Sequence, residues 1–304
     1  MNFSFRQLPF ARRPATCLFA VLAVGGLTFL ALLGYSGSTQ ASVVLVEQTT
    51  GIAREVAAAP IGAGAGSLTG QITYNGTDPK LPLKVAKGDT TVRDFAICAA
   101  NDIPDQSLLI NGKSSGLANV FVYLTKAPAG YKPKVPEARP KVDQKGCTFI
   151  PHTMVVHAGQ TVLILNSDPI LHNTNTQSPA NPFNQGIKAG EAEGVPLTYK
   201  NPQRLPVNVK CDFHNWMTAY HLVQNHPFCA VTDANGEFEI KDIPAGKHNF
   251  MIWHERSGYL ESNKGLAVTI SAGQPTKVGL KYAPSKFTAF QGPKPKQVLV
   301  SFSE

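Results

Sequence analysis

Charge is scarce in this chain of 304 residues. Asp, Glu, Lys and Arg together make up 16% of it, which leaves no material for long charged helices. No heptad or helix-period stretch runs outside the N-terminus, so coiled coils are excluded. No His-x-His pair occurs, which excludes the histidine-rich cluster that multicopper enzymes require, and no Cys-x-x-Cys-His occurs, which excludes covalently attached haem. Aromatic residues do not interleave with basic ones. Between Tyr131 and Lys145, the residues Lys132, Lys134, Arg139, Lys141 and Lys145 alternate with Pro133, Pro136 and Pro140, so this basic stretch is expected to be a solvated loop and nucleic acid is not an expected partner.

What the chain does have is turn-forming residues, 26 Gly and 23 Pro, with 43% hydrophobic residues between them. Short apolar or alternating runs recur at Leu68 to Tyr74, Leu117 to Leu124, Thr153 to Val156, Thr161 to Leu165, Pro206 to Lys210 and Ala219 to Val223. Each is bounded by Gly, Pro, Asn or Asp, the pattern of a β-sandwich. A second set covers Ala230 to Thr232, Glu237 to Ile240, a run through Phe250, Ile252 and Trp253, Leu266 to Ile270, Lys277 to Tyr282 and Val298 to Phe302. Turns at Asp233-Ala234-Asn235-Gly236 and Pro244-Ala245-Gly246 punctuate that set and suit a smaller antiparallel sandwich. The expected class is all-β, with two domains meeting near His226-Pro227.

The N-terminus differs from the rest. Arg6, Arg12 and Arg13 precede an apolar run from Cys17 to Gly34, and Thr39-Gln40-Ala41 offers a small-residue cleavage site. Residues 1–41 are expected to be an export signal, or a retained membrane anchor, since the run approaches the length of a span. Loss of this segment would lower the formal charge from +8 to +5. Residues 42–65, ending in Ala- and Gly-rich sequence, read as a flexible tether. The remaining boundaries are 66–226 and 227–304, the first expected to fold separately from the second.

The chemistry is concentrated in Cys211-Asp212-Phe213-His214-Asn215-Trp216-Met217, a loop between two expected strands that offers a thiolate, an imidazole and a thioether. Soft sulfur with imidazole selects copper or zinc, and two His and one Cys with a weak axial Met is the electron-transfer copper arrangement. Structural zinc sites rarely use thioether. The best candidate for the second imidazole is His172, 39 residues before Cys211 and shortly after the run Thr161 to Leu165. His152, His157, His221 and His226 flank the site in sequence and read as residues that hydrogen-bond around its ligands or lie at the surface. The neighbours His254 and Glu255 point to opposite faces of an expected strand and read as packing.

The segment Ala158-Gly159-Gln160-Thr161-Val162, then Asn166, then His172-Asn173, followed by Cys-x-x-His-x-x-Met, resembles the cupredoxins, particularly those with the short amicyanin-type ligand loop. The resemblance covers about residues 147–226 and implies a Greek-key β-sandwich holding one type 1 copper ion. His172, Cys211 and His214 would be its equatorial ligands and Met217 its axial one. Asn173 would brace the loop of Cys211 and hydrogen-bond near its sulfur. Cys147-Thr148-Phe149-Ile150-Pro151-His152 and Trp253-His254-Glu255 are similar to methylamine-utilisation-type cupredoxin-like proteins. Those pair the copper domain with a prealbumin-like, carboxypeptidase-regulatory-like sandwich. Of the three cysteines left over, Cys98 and Cys147 are the expected disulfide and Cys229 a buried free thiol, although three pairings are open. The implied function is one-electron transfer in the periplasm or another extracytoplasmic space, without enzymatic activity. A redox protein, such as a cytochrome or a periplasmic oxidoreductase, would be the partner. The alternative is a module that binds carbohydrate or protein, with a structural metal or none. Trp253 and Tyr259 are its obvious platform residues.

Overall fold

A computed structural model describes residues 64–287 and two short N-terminal strands, Val21–Val24 and Leu27–Leu30, which pair antiparallel. The rest of the expected export segment, nearly all of the tether and the expected strand Val298 to Phe302 lie outside the described residues. Among those residues, no helix is long and apolar enough to cross a membrane.

The architecture is all-β, with two sandwiches. In the first, a five-stranded sheet runs in the order Phe183–Ile187, His172–Thr176, Val207–Lys210, Thr218–Gln224 and Thr153–His157. Its partner runs in the order Glu191–Thr198, Thr161–Asn166, Lys141–Gln144 and Phe149–Ile150. Strand Thr161–Asn166 shows how sequence builds this layer: side chains alternate across a strand, and Val162, Ile164 and Asn166 point inward with no exposed area. Lys141–Gln144 corrects the reading of Tyr131 to Lys145 as a loop throughout. After Pro140 the backbone regains its donors, Val142 and Gln144 turn into the core, and the strand pairs parallel with Thr161–Asn166.

The second sandwich draws on two separated parts of the chain. One sheet carries Cys229–Val231, Phe121–Leu124 and Gly246–His254, with Gly258–Tyr259 and Leu266–Ile270 also paired to Gly246–His254. In the other, Ala65–Tyr74 lies between Glu237–Pro244, antiparallel, and Pro275–Tyr282, parallel. The second sandwich is therefore not purely antiparallel. Ala65–Tyr74 and Phe121–Leu124 also lie outside the sandwich to which the boundary at residue 66 assigned them. Alternation shows that a strand is half-buried but not which sheet it joins, and here the partners are more than a hundred residues away. The turn expected at Asp233 to Gly236 is present. Gly236 has φ 75°, and a Cβ there would lie 2.1 Å from the Ile72 carbonyl oxygen, so only glycine fits.

The sandwiches meet across Phe121, Tyr123, Leu222, Met251 and Trp253, all buried, and the Tyr123 hydroxyl donates to the Arg204 carbonyl (2.7 Å). The crossover between Tyr74 and Phe121 leaves the second sandwich, and its residues Val85, Cys98, Ala99 and Ile103 enter the core of the first.

Candidate metal centre

The ligand loop is the connection of a hairpin. Val207–Lys210 and Thr218–Gln224 pair antiparallel, with Lys210 opposite Thr218, so Cys211 to Met217 forms the seven-residue turn. Two backbone bonds close it: Cys211 N–H donates to the Met217 carbonyl (3.1 Å) and Met217 N–H to the His214 carbonyl (2.9 Å). Cys211, His214 and Met217 are all buried.

His172 begins the strand His172–Thr176 in the same sheet. Its Nδ1 lies 3.0 Å from Nδ1 of His214 and 4.0 Å from the Cys211 sulfur, which is 3.7 Å from His214 Nδ1. Three soft or borderline donor atoms thus converge at one buried point. Met217, the fourth expected residue, sits in the same closed turn with its side chain in the core.

The outer ring nitrogens are held as well. His172 Nε2 meets Asp168 Oδ2 at 2.9 Å and His214 Nε2 meets Asp94 Oδ2 at 3.0 Å. An ionised carboxylate can only accept, so both Nε2 atoms carry protons and both rings are oriented with Nδ1 toward the shared point. Asp168 is itself fixed by N–H groups of Gly146 (2.7 Å) and Cys147 (2.8 Å). Asn166 builds the loop that presents His172. Its Nδ2 donates to the carbonyls of Ile170, Ile187 and Lys188 at 2.8 to 3.0 Å, and its Oδ1 accepts from Asp168 N–H (3.0 Å).

Asn173 spans the two ligand loops. Its backbone N–H points at the Cys211 sulfur (3.5 Å), its Oδ1 accepts from Asp212 N–H (2.6 Å), and its Nδ2 donates to Asp212 and Asn184 (2.8 Å each). Burial pushes the Cys211 thiol up, but hydrogen bonding to His172, His214 and the N–H groups of Asn173 and Phe213 outweighs it and brings the thiol down to about 6. Burial pushes the His172 imidazolium down, and Asp168 and the Cys211 sulfur lift it to about 9. The site stabilises a thiolate at neutral pH, the form in which cysteine binds a metal.

Cys98 and Cys147 are joined, with their Cα atoms 5.3 Å apart, while Cys229 keeps a free thiol and is half-buried. Elsewhere, His152 pairs with Glu255 (2.5 Å) and His221 Nδ1 meets the Tyr199 hydroxyl (2.6 Å). His254 is fully buried. Sequence reasoning gave no role to Asp94, Asp168 or Asn166. Asp168 lies four residues before His172, a usable signal, whereas nothing local marks Asp94, which stands 120 residues from His214.

No protein-family model and no curated protein matches the chain. Among solved structures, a copper-containing nitrite reductase from Thermus scotoductus SA-01 is 22% identical over 33% of this chain, with a TM-score of 0.26. The matched part spans 27% of that enzyme's length. A purple cupredoxin from Nitrosopumilus maritimus is 16% identical over 28% of this chain and 99% of its own, at a TM-score of 0.24. Amicyanin from Paracoccus versutus is 16% identical over 34% of this chain and 97% of its own, at 0.26. Such values are too low to transfer a role to any residue, so the centre is read from its own atoms.

Proposed function

We propose that this chain is an exported type 1 copper protein that carries single electrons. The observation behind the reading is the convergence of His172 Nδ1, His214 Nδ1 and Cys211 Sγ within 4.0 Å of one another in a buried pocket closed by the turn of Met217. Two imidazoles, a thiolate and a thioether fit copper better than zinc, since thioether is a copper ligand and rarely a structural zinc one. Bound there, copper would supply reversible one-electron chemistry. The chain's own residues do the rest: Asp94 and Asp168 hold the rings, Asn173 holds Cys211 against the first ligand loop, and the core excludes water. A rigid donor set that suits both oxidation states needs little reorganisation on each transfer.

In this reading the chain catalyses no reaction of its own and exchanges electrons with a redox protein, a cytochrome or a periplasmic oxidoreductase, in an extracytoplasmic compartment. The regulatory-like second sandwich carries no metal of its own in the proposal. A glycan-binding role lacks support from Trp253, which is buried between the sandwiches, and from Tyr259, which is half-buried. The test is a copper titration of residues 42–304 followed by visible and electron-paramagnetic-resonance spectroscopy. One equivalent should bind with an intense visible band, and Cys211→Ser should abolish that band even if some metal remains on the imidazoles. A chain that takes up no copper, or a Cys211→Ser protein with an unchanged spectrum, would overturn the proposal.

A further inference from the structure

We propose that the Cys98–Cys147 disulfide and the side chains of Asp94 and Asp168 form one clamp that sets the orientation of both imidazoles at the metal centre. The inference deepens the copper reading, because it concerns how that centre is held. One arm starts at Cys147, whose N–H donates to Asp168 Oδ2 (2.8 Å), the same oxygen that meets His172 Nε2 (2.9 Å). The other starts at Cys98, whose N–H donates to the Asp94 carbonyl (2.9 Å) across the single turn Phe95–Cys98. Asp94 Oδ2 then meets His214 Nε2 (3.0 Å). One covalent bond therefore closes a circuit through two carboxylates to two rings. A third contact ties the arms together: Trp216 Nε1 donates to the Cys147 carbonyl (3.2 Å), and the Trp216 ring lies 5.2 Å from that of His214, centre to centre.

The placement of Asp94 explains why such a circuit is needed. It belongs to the crossover that leaves the second sandwich after Tyr74 and is back in its core by Leu108, so nothing in the ligand loop's own sheet carries it. The backbone bonds around it close the segment on itself, Val85 with Ile103 and Gly88 with Ala99. The disulfide is its covalent tie to the first sandwich, and both half-cystines are buried. Asp94 (φ 53°) and Cys147 (φ 53°) both adopt the left-handed region, a conformation that non-glycine residues keep where surrounding contacts over-determine it. Asp94 and Asp168 are positioning residues in this scheme, acting on a metal only through the rings they hold.

The test uses the full exported chain without metal, labelled with ¹⁵N-histidine, and reads exchange of the two Nε2 protons with water by NMR. Both protons should exchange slowly in the parent. Cys98→Ala with Cys147→Ala should speed both by at least about tenfold, whereas Asp94→Ala should speed only the proton on His214 and Asp168→Ala only that on His172. A disulfide-free protein whose two Nε2 protons stay as slow as in the parent would refute the clamp, as would aspartate variants that change neither ring. Should the double cysteine variant fail to fold, the coupling is read in reverse. If the disulfide holds Asp94 on His214, that contact also holds the disulfide, so Asp94→Ala should shift the disulfide–dithiol equilibrium in a glutathione redox buffer toward the dithiol by at least about threefold. An unchanged equilibrium refutes the proposal equally. Because these readouts are taken on the metal-free chain, they do not share a failure with the copper titration.

Discussion

Asn166 concentrates more of the site's geometry than any of the ligands do. It ends a strand whose alternation turns it inward, and it has no exposed area. The carbonyl of Ile170 and the N–H of Asp168, in the loop that leads to His172, and the carbonyls of Ile187 and Lys188, at the end of a neighbouring strand, find their partner in its carboxamide. A buried polar group left unpaired costs about 1–3 kcal/mol, and cooperative networks lose more than one bond at a time. Asn166→Ala should lower unfolding stability by about 3 kcal/mol, and Asn166→Asp, which keeps the acceptor but loses the donors, should recover little of it. Urea unfolding with a common slope checks both. Asn173 differs in kind. Its side chain ties one ligand loop to the other at Asp212, while the contact with the Cys211 sulfur comes from its backbone, so substitution there would loosen the loops and leave the N–H to sulfur contact available.

Strands are set by which residues alternate and where proline stops. Lys141–Gln144 illustrates both, since Pro140 ends the irregular stretch before it and Val142 and Gln144 then face the core. If that segment is a core strand, Val142→Ala leaves a cavity and should cost about 2 kcal/mol. Val135→Ala, seven residues earlier and 45% exposed, should stay within about 0.5 kcal/mol. Chemical denaturation of the two variants side by side separates a strand from a loop, and equal effects would contradict the assignment. The strand His172–Thr176 was illegible for the opposite reason. Its residues, HNTNT, are polar throughout, yet four of the five are buried, and the side chains of His172, Asn173 and Thr176 make their hydrogen bonds within the protein.

At the scale of the whole molecule the two sandwiches share chain and a buried apolar contact layer. Ala65–Tyr74 and Phe121–Leu124 would lose their sheet partners if the chain ended at residue 226. The buried histidines give the assembled molecule a pH dependence. His226, at the junction, has no hydrogen-bond partner on either ring nitrogen, and burial with His157 nearby pushes it down to about 4. Burial, with His152 and Arg256 adding to it, pushes His254 down to about 3. In the unfolded chain both titrate near their ordinary value of about 6.5. Above that pH neither state binds a proton and the contribution to stability is complete. As the pH falls toward 4 and then 3, the unfolded chain takes up protons that the native state refuses, so stability declines. His226→Phe removes one such group while keeping the apolar contact with Phe228. Its stability should therefore fall less steeply than the parent's between pH 6.5 and 4.5 in urea titrations, and parallel curves would show that His226 is not held neutral.

The all-β class, the positions of most strands and the loop from Cys211 to Met217 are legible in the sequence. Those depend on local pattern: alternation, turn residues and donors a few positions apart. Which sheet Ala65–Tyr74 and Phe121–Leu124 join, and which carboxylate reaches His214, are settled in the folded molecule alone. Strand pairing and the approach of Asp94 both depend on contacts between residues more than a hundred positions apart. In such contacts the free energy comes from packing and hydrogen bonds formed after the chain has closed, and no local run of residues records it.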